Sequence, residues 1–264
     1  MTDLTVALNT FHMRPVQTAT KARKSSVGQW QKFLLACGIM SSLLYIAMNV
    51  FVPMFYPGYS VVTQTVSELS AIGAPTRMLW FVPGILYSLL IVAFGWGVYS
   101  SSDQSRYLRL AGTLMIISGL LSFTWTPMHQ RAVLAAGGGN FSDTWHIAMS
   151  FITLLLMLSM IGLGAAALKG TFRTYSMLTI AVFVVFGVLT WLESPGISTN
   201  GPTPMIGVWE RINIGVYMLW VLVFATILLR RSTQVPLKIQ STVASSRIME
   251  KSNGHRQPKI RHKV

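Results

Sequence analysis

Six long apolar runs decide what this chain can become. They are Phe33 to Val52, Met78 to Val98, Leu108 to Trp125, Trp145 to Leu168, Ser176 to Leu192 and Val208 to Leu229. A helix needs about 20 apolar residues to cross the hydrocarbon core of a bilayer. Within that core the backbone must satisfy its own hydrogen bonds, which leaves helices or closed barrels. The runs are too long for barrel strands, so the expected fold is an all-α bundle of six transmembrane helices. Pro53, Pro127, Pro195, Lys169 and Arg230 stand at the ends of runs, where breakers and charges belong. Composition agrees: of 264 residues 52% are hydrophobic and 11% charged, against about 25% charged in a soluble domain. That excludes a soluble globular domain and a disordered chain. A lone cysteine, Cys37, excludes a disulfide-stapled fold.

The first 29 residues are polar and carry Arg14, Lys21, Arg23 and Lys24. The run that follows is too long for a signal-peptide core and lacks a small-x-small cleavage site, so it reads as a retained first helix. The organisation expected is a basic arm over 1–32, a membrane domain over 33–229 and a disordered basic tail over 230–264.

The net charge of +14 records orientation. The two termini and the loops 99–107 and 169–175, with Lys32 and Arg109 beside them, hold 18 of the 21 basic residues. Only Arg77, Arg131 and Arg211 fall on the other side. Cytoplasmic segments are the ones enriched in Lys and Arg. Both termini are therefore expected in the cytoplasm, with three outer loops, in a bacterial plasma membrane. Trp80, Trp125, Trp145, Trp191 and Trp209 fall at the outer helix ends, as an interfacial belt would. The pairs Gly84/Ser88, Ser118/Ser122 and Gly162/Ala166 are expected to let helices approach closely. The tail is expected to contact anionic lipid; no folded nucleic-acid module accompanies it.

The acids point elsewhere. Asp3, Asp103 and Glu250 are on the basic side, whereas Glu68, Asp143, Glu193 and Glu210 all map to the outer side, with His129 and His146. Ionisable groups near a membrane are costly unless partnered. Val62, Val66, Leu69 and Ile72 recur at helical spacing, which predicts a short amphipathic helix before Gly73 and Pro75, with Glu68 on another face. Asp143 and His146 are three apart at a helix start and share a face. His129 lies across the hairpin. Together these three fit a shell for zinc or another divalent metal, whose bound water would be the nucleophile, with Glu68 or Glu210 as general base. The plainer alternative makes Ser142 or Asp143 a helix cap. Glu193 ends the fifth run and Arg211 begins the sixth, each at the wrong end of a helix dipole. A structural Glu193–Arg211 ion pair would satisfy both.

The string from Ser67 to Arg77, SELSAIGAPTR, the histidine hairpin and the Glu210-Arg211 pair resemble the bacterial multi-pass membrane family named domain of unknown function 998. The resemblance covers roughly residues 33–229 and implies a compact six-helix membrane protein with no established activity. A more distant likeness is to membrane metal hydrolases of the alkaline-ceramidase and adiponectin-receptor type, whose sites set a Ser, an acid and His around zinc. It implies Ser67, Asp143, His129 and His146 in those places, although this chain has two such His and no HxxxH.

Three functions are open on these residues: a metal-assisted hydrolase or lipid-modifying enzyme at the outer leaflet, a non-catalytic scaffold or sensor, and a transporter of small solutes or lipids. Transport is the least supported, because the runs offer Asn49 near an end, isolated Ser and Thr, and no clear repeat.

Overall fold

A computed structural model describes residues 15–101 and 105–254, with side chains over 28–101 and 105–232. Eight helices follow in order: α1 (Pro15–Phe51), α2 (Arg77–Ser100), α3 (Arg106–Leu121), α4 (Arg131–Ala135), α5 (Phe141–Leu168), α6 (Gly170–Glu193), α7 (Pro195–Ser198) and α8 (Ile206–Gly254). Six of them are long and apolar enough to cross a membrane, one for each run. Short 3-10 turns at Val52–Phe55, Val66–Ser70 and Ser122–Thr124 link them, and no strand occurs among the described residues.

Each long helix packs beside the next in the chain, and α8 returns to α1, closing a ring. The bundle has two unlike faces. One carries the start of α1, the end of α8, the facing ends of α2 and α3 and the reversal between α5 and α6. That reversal is a single residue, Lys169, which with Gly170 adopts a positive φ (52° and 53°). The other carries the three long loops, 52–76, 122–140 and 194–205. These are called the terminal face and the loop face.

Close approach between α2 and α3 rests on glycine. A Cβ on Gly112 would lie 2.5 Å from Tyr99 N, and one on Gly95 would lie 2.8 Å from Ile116 N. The expected small pairs fare differently. Gly84 and Gly162 meet nothing within 4 Å. Ser88 and Ser122 turn their hydroxyls back onto Gly84 O and Ser118 O, both at 2.9 Å. Spacing places a small residue on a face; it does not say whether that face meets a helix.

Two further differences concern extent. α6 begins at Gly170, six residues before the predicted start, because residues 170–175 propagate an existing helix at the small cost of each added turn. For the same reason α8 runs on to Gly254, past the predicted end of the sixth run; residues 255–264 of the tail lie outside the described residues, as do 1–14 of the basic arm.

The core sits toward the terminal face. Trp220 and Phe224 are fully buried and stack at 4.9 Å, joined by Phe172 and Phe94. Trp220 donates its indole N–H to Ser176 Oγ at 2.9 Å, which satisfies its one polar atom. Toward the loop face the apolar clusters are small: Met48, Val52 and Leu69 form one, and Ala71, Ala74 and Met128 another.

Candidate functional site

The first loop builds a turn instead of the amphipathic helix expected from its spacing. Thr65 caps Val66–Ser70 with a reciprocal box: Glu68 Oε2 accepts from Thr65 N at 2.7 Å and from Thr65 Oγ1 at 2.9 Å. Thr76 Oγ1 donates to Leu69 O at 2.7 Å and closes the segment. The turn buries Val66, Leu69 and Glu68 together, while Val62 is exposed. Glu68 is therefore not on a solvated face.

A buried carboxylate needs a counter-charge, and Arg131 supplies it. Its Nε donates to Glu68 Oε1 at 2.6 Å and its Nη2 to Oε2 at 2.9 Å, a bidentate pair. Burial pushes the Glu68 carboxyl up, but the Arg131 and Thr65 donors outweigh it and hold the group below its ordinary value of 4.5. Arg131 also donates to Thr203 Oγ1 at 2.7 Å and to Thr63 O at 3.0 Å. One guanidinium thus ties all three long loops. With both oxygens engaged, Glu68 has no room to serve as the general base expected of it.

The end of α8 holds the first loop from the other side. Arg211 donates to Val61 O, Gln64 O and Gly207 O at 3.0 to 3.2 Å and to the Tyr59 hydroxyl at 2.7 Å. Burial pushes Tyr59 up to about 12 against the opposing pull of Arg211, so its hydroxyl keeps a proton to donate to Thr65 O at 2.6 Å. Glu210 Oε2 accepts from Val66 N, the residue before Ser67. Glu210, the other expected base, therefore anchors the turn that carries Ser67.

The expected Glu193–Arg211 pair does not form. Glu193 accepts from Met205 N and Trp209 Nε1, both at 3.0 Å. Each charge found the partner that its dipole position demanded, but neither partner is charged.

The second loop separates the expected metal shell. Asn140, not Ser142 or Asp143, caps α5, and Asp143 completes the capping box at the third helical position. Asp143 Oδ1 accepts from His129 N at 2.7 Å; Oδ2 accepts from His129 Nδ1 and Asn140 N, both at 2.9 Å. His146 points another way. Its Nδ1 lies 2.8 Å from Thr126 O and 2.9 Å from Trp125 Nε1, and its Nε2 lies 3.1 Å from Ser67 Oγ. Among the described residues no three His, Cys, Asp or Glu side chains stand close enough to hold a metal ion. His129, Asp143 and His146 do not fit zinc: the carboxylate is spent on N–H donors and both His146 nitrogens are engaged.

What the geometry does bring together is Ser67 and His146. His146 is buried and Ser67 is half-buried. Nδ1 can serve only one of its two neighbours. Protonated, it donates to Thr126 O and leaves the Nε2 lone pair facing the Ser67 hydroxyl. Bare, it takes the Trp125 N–H and turns Nε2–H toward Ser67. The first state is a serine with a base beside it, the base held by a third group.

Sequence reasoning named both residues but assigned His146 to a metal. It missed Arg131, counted there only as a charge. The signal was available: three basic residues among four acids at a membrane surface ought each to have a partner sought.

No curated protein and no solved structure matches this chain, and nothing in these comparisons supports the distant ceramidase likeness. Residues 39–227 match the model of a family described as protein of unknown function, DUF998. That segment holds four spans whole, most of the first and the last, and every side chain of the loop-face network, and on that match the chain belongs to the DUF998 family of multi-pass membrane proteins.

Proposed function

We propose that this protein transfers or hydrolyses the acyl group of a lipid ester at the outer surface of the membrane, with Ser67 as nucleophile and His146 as base. The observation that carries this reading is the 3.1 Å approach of Ser67 Oγ to His146 Nε2, with His146 Nδ1 held 2.8 Å from Thr126 O. Both distances fall in the range a nucleophile–base pair needs. The loop face is the outer face in this proposal, because 18 of 21 basic residues lie toward the terminal side. The basic tail then meets anionic lipid on the cytoplasmic side.

The chemistry uses this chain's own groups. Ser67 Oγ attacks the ester carbonyl as Nε2 takes its proton. The ester C–O bond breaks, and the leaving alcohol departs with that proton. Water or a second alcohol then attacks the acyl-Ser67, gives its proton to Nε2, and the acyl group leaves as acid or new ester while Ser67 regains its hydrogen. Glu210 acts as a positioning residue, since it holds the turn through Val66 N.

The test is labelling of the full-length protein, in lipid nanodiscs, with a long-chain fluorophosphonate. Label is expected on Ser67, lost in Ser67→Ala and in His146→Ala, and kept in Ser70→Ala. A folded protein that takes no label at Ser67 would remove the enzyme reading.

A second reading draws on a different observation. All four loop-face acids accept hydrogen bonds from this chain, and those bonds join the three loops to one another and to α8. This is what a non-catalytic membrane scaffold requires, and it is the reading left if Ser67 stays unlabelled.

A further inference from the structure

The loop face carries three arginines, and two are held by the chain's own acceptors. Arg131 and Arg211 spend their donors on Glu68, threonines, carbonyls and Tyr59. Arg77 is different. It is exposed, and among the described residues its guanidinium has no hydrogen bond and no ion pair. It is also the first residue of α2, where the helix dipole disfavours a cation. A charge set at that position without a protein partner is free to take an anion from outside.

The surroundings say which kind. Arg77 borders a cleft of about 400 Å³ lined by Gly73, Ala74, Pro75, Met78 and Phe81. The Gln130 amide adjoins it: a Cβ on Gly73 would lie 3.4 Å from Gln130 Nε2, and that amide donates to nothing else among the described residues. Below the cleft, Met78, Phe81, Val82, Ile85, Leu86 and Leu89 form an exposed apolar stripe down α2. Their spacing of three and four residues keeps them on one side of the helix. A cation and an amide at the head of a membrane-facing apolar stripe match one ligand shape: a charged head above a hydrocarbon chain.

We infer that Arg77, with Gln130 beside it, holds the phosphate of an anionic glycerophospholipid from the surrounding leaflet, whose acyl chain lies along the α2 stripe. A net-anionic lipid is favoured over a zwitterionic one on charge grounds. The carboxylates that would take an ammonium group are already engaged, Glu68 by Arg131 and Asp143 by His129. This inference stands apart from the Ser67–His146 chemistry and is read without any turnover.

The experiment uses the full chain reconstituted in nanodiscs of phosphatidylcholine with or without phosphatidylglycerol, then released and examined by native mass spectrometry. Wild type is expected to keep phosphatidylglycerol in preference to phosphatidylcholine. Arg77→Gln should lower that preference about fivefold, the effect of one arginine near an anionic surface. Arg77→Lys should keep most of it, and Arg109→Gln, at the terminal face, should leave it unchanged. Soluble glycerol phosphate should not displace the retained lipid; displacement would show that the site reads a free phosphate and that the stripe plays no part. Equal retention by wild type and Arg77→Gln would overturn the inference. Repeating the measurement with Ser67→Ala in place should give the same preference, so its failure and the failure of the acyl-transfer reading are separable.

Discussion

The two halves of the bundle are held by different forces. Toward the terminal face, Trp220, Phe224, Phe172 and Phe94 fill the ring and glycine backbones meet, with few polar atoms involved. Toward the loop face, apolar clusters are small, and the loops are joined through Arg131, Arg211, Asp143, Glu193 and Glu210. In lipid, helices gain little from hiding apolar surface, because the solvent is equally apolar; they gain from close packing. At the membrane surface water competes for every hydrogen bond, and a bond contributes most where that water is excluded. The first half should answer to lost volume and the second to lost partners.

The largest expected effect lies in the loop half. Removing one member of a buried ion pair leaves a bare charge and costs about 3–5 kcal/mol. Arg131→Met should do this to Glu68, and it also frees Thr63 and Thr203. The measurement is thermal unfolding in detergent followed by loss of monodispersity. Glu68→Gln combined with Arg131→Met should recover much of the loss, since neither charge is then stranded. Acid gives the same contrast without mutation. The Glu68 carboxyl sits below its ordinary value of 4.5 when folded. Its contribution is thus complete above that value and fades as pH falls through it toward the folded value. Wild type should lose stability over that acid range, and Glu68→Gln should lose less. If the two lose equally, the loop half is not held by this pair.

The next effect should come from the packed half. Trp220→Ala opens a cavity beside Phe224 and Phe172 and leaves Ser176 Oγ without its donor. A loss of about 2–3 kcal/mol is expected, the cavity part of the usual large-to-small cost. It should not change with pH, because no charge is uncovered. A pH-dependent loss would mean that the two halves are coupled more tightly than their contacts indicate.

How much of this was legible in the sequence follows the same division. The six helices were readable because each apolar run is local, and membrane thickness sets its length. The polar lattice was only half readable. The dipole argument correctly held that Glu193 and Arg211 need partners, yet it cannot say what kind. Glu193 found the backbone N–H of Met205 just before α8 and the indole N–H of Trp209, and Arg211 found carbonyls of the first loop. Backbone groups are as plentiful as charges at helix ends and invisible to a count of charges. The Glu68–Arg131 pair spans 63 residues and no local period reports it. Ser67 and His146 were both named, but 79 residues separate them, and only the ring closure sets them face to face.

The smallest predicted effect tests whether the packed half is as selective as its glycines suggest. Gly112 and Gly84 look alike in sequence, each an interior glycine of a spanning helix. Alanine at Gly112 would place a Cβ 2.5 Å from Tyr99 N and 2.7 Å from Gly95 O. Those are backbone atoms, so no side chain can turn aside and α2 and α3 must move apart. Overpacking of this kind costs about 1–3 kcal/mol. Alanine at Gly84 meets nothing within 4 Å and lowers the freedom of the unfolded chain, a gain of about 0.4–1 kcal/mol. The two variants, melted side by side in one detergent, should therefore shift in opposite directions. If Gly84→Ala also destabilises, then the face of α2 that bears Gly84 is covered in the membrane, and a second molecule or a lipid chain must be packed against it.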